Sequence, residues 1–270
     1  MPILQIAPTS PALRPFIESL WHFTGEFEHA QERIMPTGTM QLLVNLDEDE
    51  LRTYEGERFA TVRRIRGAAI SGAYARPFGI DTREQRLIAG VSFRPGGAAP
   101  FFRAPANALR ELHVELDRVW SRDGAVLRER LLDAPSPAAA LRALECALLE
   151  QVARPLEVDK QVDFAIDALE RGAPVGELVA RVGTTPKRFI RHFEQIVGIT
   201  PKRFARVRRF SRVLTSVELG QRVDWSAVAA SCGYFDQAHM IHDFQEFSGM
   251  NPTDYRPRAQ GDRNHSLIAD

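Results

Sequence analysis

Ten basic residues and one acid stand between Arg181 and Arg212. The bases are Arg181, Lys187, Arg188, Arg191, Lys202, Arg203, Arg206, Arg208, Arg209 and Arg212, and the acid is Glu194, a net of +9 in a chain whose formal charge is zero. Guanidinium and ammonium groups at this density suit a phosphate backbone, although a solvated helix face has the same composition. From Val213 to Arg258 the balance reverses, with three bases against six acids. The chemistry on offer is anion and base-edge recognition, concentrated in one stretch.

The elements that position these groups come as a repeat. Phe189, Phe193, Gly198, Pro201 and Phe204 recur 51 residues later as Met240, Phe244, Gly249, Pro252 and Tyr255. Upstream, Val175, Leu178, Val179, Ala180, Val182 and Gly183 recur as Trp225, Val228, Ala229, Ala230, Cys232 and Gly233 at an offset of 50, so the second turn has one extra residue. Each copy reads as helix, tight turn, helix. Gly183 supplies a positive φ without a Cβ clash, Thr185 can cap, and Pro186 tolerates a missing N–H at the first helical position. In the helix over 185–197, Phe189, Phe193 and Val197 face inward. Lys187, Arg188, Ile190, Arg191 and Glu194 are left outside. Asp236 caps a second helix over 236–247, with Met240 and Phe244 inward and Gln237, Ala238, Ile241, His242 and Gln245 outward. The connector Pro201–Leu219 has apolar residues at helical spacing and a length of about 28 Å. That approaches the roughly 34 Å between successive major-groove faces of B-DNA.

On these residues, and above all on the run Gly233–Gln245 (GYFDQAHMIHDFQ), the chain from about 160 to 258 resembles the AraC/XylS family of transcription regulators. The resemblance implies two recognition helices in successive major grooves of double-stranded DNA, with RNA polymerase a further partner. It places base contacts at Lys187, Ile190 and Arg191 in the first unit and at Gln237, Ala238 and His242 in the second. Ile190 can touch only a thymine methyl, and His242 stands where an arginine is common in the family. Arg188, Arg203, Arg206 and Arg209 are the candidate phosphate contacts.

Before residue 100 the chain reads as short strands broken by turns: 33–46 with a turn at Pro36–Gly38, 62–80, and Leu87–Phe93. Asp47–Glu50 suits a hairpin tip. Helices follow over 106–116, 125–132, 137–153 (Ser136 capping) and 158–169. The fold class expected is α+β in two domains with separate cores. An N-terminal cupin-like β barrel or sandwich with following helices spans 1–155, its strands to about 100 and its helices over 106–154. An all-α double helix-turn-helix domain spans 156–258, and 259–270 is a flexible tail. The echoes at Pro36, Gly38, Gly90–Ala98 and Arg130–Leu132 resemble an uncharacterised domain attached to such regulators, which implies effector binding and homodimerisation.

Trp21, Phe23, Met35, Phe93 and Arg94 are the candidate effector pocket; ordinary core is the better explanation of the apolar four. Arg94–Gly97 could form an anion nest or simply end a strand. The stripe Leu141, Leu144, Leu148 and Val152 either packs on the β domain or forms a dimer seam. His239, His242 and Asp243 lack matching metal partners, His22 and His29 lack the cupin metal motif, and no metal or other cofactor is expected. Cys146 and Cys232 read as buried free thiols of a reducing cytoplasm. Hydrophobic content of 44% and charged content of 26% suit a globular protein, without an apolar run of membrane-spanning length or a secretion signal. No catalytic constellation can be assembled, so the chain is not expected to be an enzyme. The alternatives left are a regulator controlled by a protein partner and a cupin-like enzyme with a helical tether.

Overall fold

The computed structural model describes residues 3–56, 59–217, 223–259 and 262–268. The strands are β1 Ile3–Ile6, β2 Ile17–Thr24, β3 Gln31–Ile34, β4 Gln41–Asn45, β5 Leu51–Glu55, β6 Thr61–Ile65, β7 Ala68–Ser71, β8 Phe78–Asp81, β9 Leu87–Phe93, β10 His113–Glu115, β11 Pro257–Ala259 and β12 Asp262–Leu267. They pair antiparallel into two six-stranded sheets, ordered β1-β2-β9-β4-β7-β10 and β11-β12-β3-β8-β5-β6. The N-terminal domain is thus a sandwich, followed by helices α1 Leu116–Trp120, α2 Asp123–Leu132 and α3 Pro137–Glu150.

Period-two alternation decides which residues each sheet face buries. In the first sheet Leu20, Leu42, Val44, Ile70, Val91 and Phe93 turn away from the second sheet and join the core that α1–α3 cover. Phe23, Ala69 and Ile88 turn inward and meet Leu51 of β5, with Trp21 and Leu43 alongside. Trp21 lies so close over β9 that a Cβ on Gly90 would come within 2.4 Å of its ring. Ser136 caps α3 through the amide of Ala139, as its sequence position predicts.

Four expectations are corrected. Residues 106–116 are a 3-10 turn at Ala106–Leu109 and then β10, because Val114 and its neighbours find partners along β7 (His113 to Ser71, Glu115 to Ala69). Cys146 is exposed, since α3 buries Glu145 in its place, held by the Thr9 hydroxyl at 2.7 Å and the Ser10 amide at 2.7 Å. Within the expected tail, β12 pairs with β3, where the buried Glu32 accepts from His29 at 2.6 Å and His265 at 2.7 Å. Nor are the cores separate: one apolar cluster runs from Leu20 and Phe93 through Val197, Ile199 and Phe204 to Phe247.

The C-terminal domain contains α4 Lys160–Glu170, α5 Val175–Val182, α6 Pro186–Val197, α7 Pro201–Ser216, α8 Trp225–Ser231 and α9 Gln237–Ser248. It is fastened to the sandwich at several points. Gly198 ends α6 at φ +99°, and a Cβ there would sit 3.0 Å from the Ala73 methyl. Gly38, also left-handed, faces Ile199 and Val207, and Gly96 faces Ile196. Arg33 donates to the Ser248 carbonyl at 3.0 Å, and Arg203 to the Ala75 carbonyl at 2.8 Å.

Candidate DNA interface

In the first unit α5 ends at Gly183, whose φ of +68° turns the chain, and Thr185 then caps α6 by accepting from the Arg188 amide. Phe189 and Phe193 are buried, with the Phe193 ring edge to face with Phe204 of α7 at 5.8 Å. Helical geometry then leaves Lys187, Arg188 and Arg191 exposed and Ile190 half-buried. No carboxylate pairs with Lys187, Arg188 or Arg191 among the described residues. Arg188 and Arg191 border a recess of about 270 Å³ together with His192, whose Nε2 meets Asp159 at 2.8 Å.

The second unit repeats the design with a longer turn. Asp236 caps α9 by accepting from the His239 amide at 2.7 Å. Met240 and Phe244 are fully buried, while Gln237, Ala238 and His242 are exposed. Ser226, at the start of α8, donates to the Gln237 carboxamide oxygen at 2.8 Å. The amino group of that exposed carboxamide is left as a donor. Tyr234 turns inward beneath the Arg209 guanidinium, 4.3 Å from its ring centroid, and Phe235 turns out, 93% exposed.

The connector α7 carries the remaining cations, and here sequence and structure divide. Arg203 and Arg206 both pair with Glu246, Arg206 reaches Asp243 at 2.6 Å, and Arg209 reaches Asp243 at 3.1 Å. Asp243 is 1% exposed, so these arginines neutralise a buried carboxylate of α9. Burial would raise the Glu246 pKa, but Arg206 and Arg203 hold it below the usual carboxylate value. Burial works against the Arg206 charge too, and is outweighed by Asp243 and Glu246. Arg212 donates to the Glu170 carbonyl at 2.9 Å and the Cys232 carbonyl at 3.3 Å, tying α4 of the first unit to α8 of the second. Of the four phosphate-contact candidates, Arg188 alone stands exposed without an ion pair, whereas Arg203, Arg206 and Arg209 hold α7 against α9. The signal for this was present in sequence as three arginines at three-residue spacing and, on a later helix, acids at the same spacing.

A cleft of about 830 Å³ separates the two units, lined by Lys202, Arg209, Arg212, His239 and His242 among others. His242, Asp243 and Glu246 bring ligand atoms within 4.8 Å of one another. Both carboxylates already accept from arginines, so the countercharge there is organic. The effector candidates are not gathered in one place. Trp21 and Phe23 lie between the sheets, Met35 and Phe93 belong to the large core, and Arg94 is exposed with its Nε donating to the Arg14 carbonyl at 3.0 Å. No helix among the described residues is long and apolar enough to cross a membrane.

Comparison with known families matches residues 5–115 to one described as a domain of unknown function (DUF6597), and residues 178–258 to one described as a helix-turn-helix domain. No curated protein matches the chain. Similar solved structures include ToxT from Vibrio cholerae in its P21 form, at 8% identity and a TM-score of 0.45 over 87% of this chain and 95% of that one. Another is unsaturated fatty acid bound ToxT of the same organism, at 5% identity and a TM-score of 0.43 over 87% and 92%. A third is ToxT bound to (E)-4-(8-methylnaphthalen-1-yl)but-3-enoic acid, at 8% and 0.45 over 87% and 96%. With the capped, paired units described above, residues 178–258 form an AraC-type helix-turn-helix domain, the DNA-binding part of a transcriptional regulator.

Proposed function

We propose that α6 and α9 read successive major-groove faces of one duplex, and that the sandwich governs this reading through the seam at Gly38, Gly96 and Gly198. The observation that carries the proposal is the distribution of exposed polar groups. Both helices present theirs on the outer face of the N-terminal half, the part of a recognition helix that meets base edges. Lys187 and Arg191 supply donors suited to guanine O6 and N7, and Gln237 supplies an amino group as a further donor. Arg188 binds backbone phosphate. The connector α7, at sixteen residues, is about 24 Å long. Its ion pairs to α9 and the Arg212 bridge support a fixed spacing between the readers. A small-molecule effector in the sandwich acts, on this reading, through the residues that pack on Ile196–Ile199.

The test is selection of bound fragments from a random DNA pool at moderate salt, followed by footprinting of the enriched sequence. The expected result is two protected major-groove segments, one helical turn apart. Absence of any enriched sequence, or protection of one segment alone, overturns the reading.

A further inference from the structure

The second unit departs from the first by one inserted residue, and that insertion lies in the turn before α9. Thr184 stands alone between Gly183 and the capping Thr185, whereas Tyr234 and Phe235 stand together between Gly233 and the capping Asp236. The two aromatic rings have opposite fates. Tyr234 is 6% exposed, pinned between Arg209 and an edge contact with His239 at 5.2 Å. Phe235 is 93% exposed, against 56% for the next most exposed large apolar side chain among the described residues, Ile3. A hydrophobic residue directly before a cap often packs back onto the fourth helical residue, but here that residue is Met240, fully buried in the opposite direction. The fold therefore derives no packing from the Phe235 ring.

The ring belongs to the turn that leads directly into α9. It immediately precedes the helix end that presents Gln237 and Ala238, and Ala238 adds a second exposed apolar group one turn along. The apolar feature that a major groove displays is the 5-methyl of thymine. We infer that Phe235 is a specificity-determining residue of the second unit, which packs on a thymine methyl at the edge of the site that α9 reads. This rests on the two-groove reading proposed above. A weak hydrogen bonder at His242 is then balanced by apolar recognition at the other end of the same contact.

The experiment uses the full-length protein and the duplex enriched by selection, with each thymine of the second segment replaced in turn by uracil, which removes only the methyl. Wild-type protein is expected to lose about fourfold in affinity at one thymine, the effect of one buried methylene-sized group. Phe235→Ala binds more weakly to the thymine duplex and is indifferent to uracil at that position, and Phe235→Leu restores part of the sensitivity. An identical uracil profile for wild type and Phe235→Ala overturns the inference and leaves the two-groove reading standing. So does a uniform loss at every position, the mark of a backbone contact. Failure to enrich any sequence instead removes the parent reading, and this inference with it.

Discussion

Arg191 and Arg206 belong to the same basic block, yet Arg191 is exposed and Arg206 is held between Asp243 and Glu246. Arg191→Ala is accordingly expected to weaken binding by about 1–3 kcal/mol and to relax preference at one base pair, read by titration against single-position variants. Unchanged affinity and preference would contradict its role. Asp243→Ala acts differently: leaving Arg206 and Arg209 without their buried partner costs about 3 kcal/mol of stability, seen as a lower urea midpoint. Two titratable groups of the sandwich set pH windows of opposite sign. Glu84 is pushed by burial to about 7, so the folded state retains its proton where the unfolded chain has lost it. The Glu84 contribution is present below about 4.5 and is lost as pH rises through 7. Glu84→Gln does not titrate, so its stability relative to wild type should rise between pH 5 and pH 8. His113, which hydrogen-bonds the Tyr74 hydroxyl through Nδ1 at 2.8 Å, is driven by burial to about 3. Its contribution is present above 6.5 and is lost as pH falls toward 3, so acid unfolding should move to lower pH in His113→Phe.

At the scale of elements, the caps and turns were the most legible features. Thr185, Pro186, Gly198, Ser136 and Asp236 act locally, and a cap needs only its own next three residues to form. Thr185→Ala should cost about 1 kcal/mol in stability, together with a fall in DNA affinity as the first turn of α6 frays. A stability change without any change in affinity would separate α6 from the interface. Less legible were the segments whose partner is distant in sequence. The stretch 106–116 has helical spacing, yet it became β10 because the edge of β7 was available to pair with it. Helix α3 likewise has an apolar stripe that says nothing of Glu145, whose burial depends on Thr9 and Ser10.

For the molecule as a whole, the C-terminal domain is integrated with the sandwich rather than strung from it. Strand β12 covers the edge of β3, and the buried carboxylate of Glu32 takes both half-buried histidines. Truncation after Arg258 removes His265 and exposes a row of unpaired backbone groups on β3. The expected outcome is a lower melting temperature, while DNA selected by the full chain is still recognised, because α6 and α9 lie outside the deletion. Loss of recognition at a temperature where the truncated chain is folded would show that the seam also sets the spacing of the readers. Salt dependence offers a second measure at this scale. Replacing Arg188 with alanine should reduce the slope of log K against log salt by about 1. Replacing Arg203 should leave the slope almost unaltered, since its charge already faces Glu246.

The duplicated helix-turn-helix, its caps, the buried and exposed faces of α6 and α9 and the β character of the first hundred residues are determined by sequence alone. All of them follow from periodicities and turn chemistry that span a few residues. Only the tertiary structure decided which arginines of the basic block pair with acids, that β12 completes a sheet more than 200 residues away, and that one core joins both domains. Charge pairing and edge pairing are satisfied by whichever group the fold brings near. Composition counts the charges in the basic block, but the geometry of α7 against α9 assigns them.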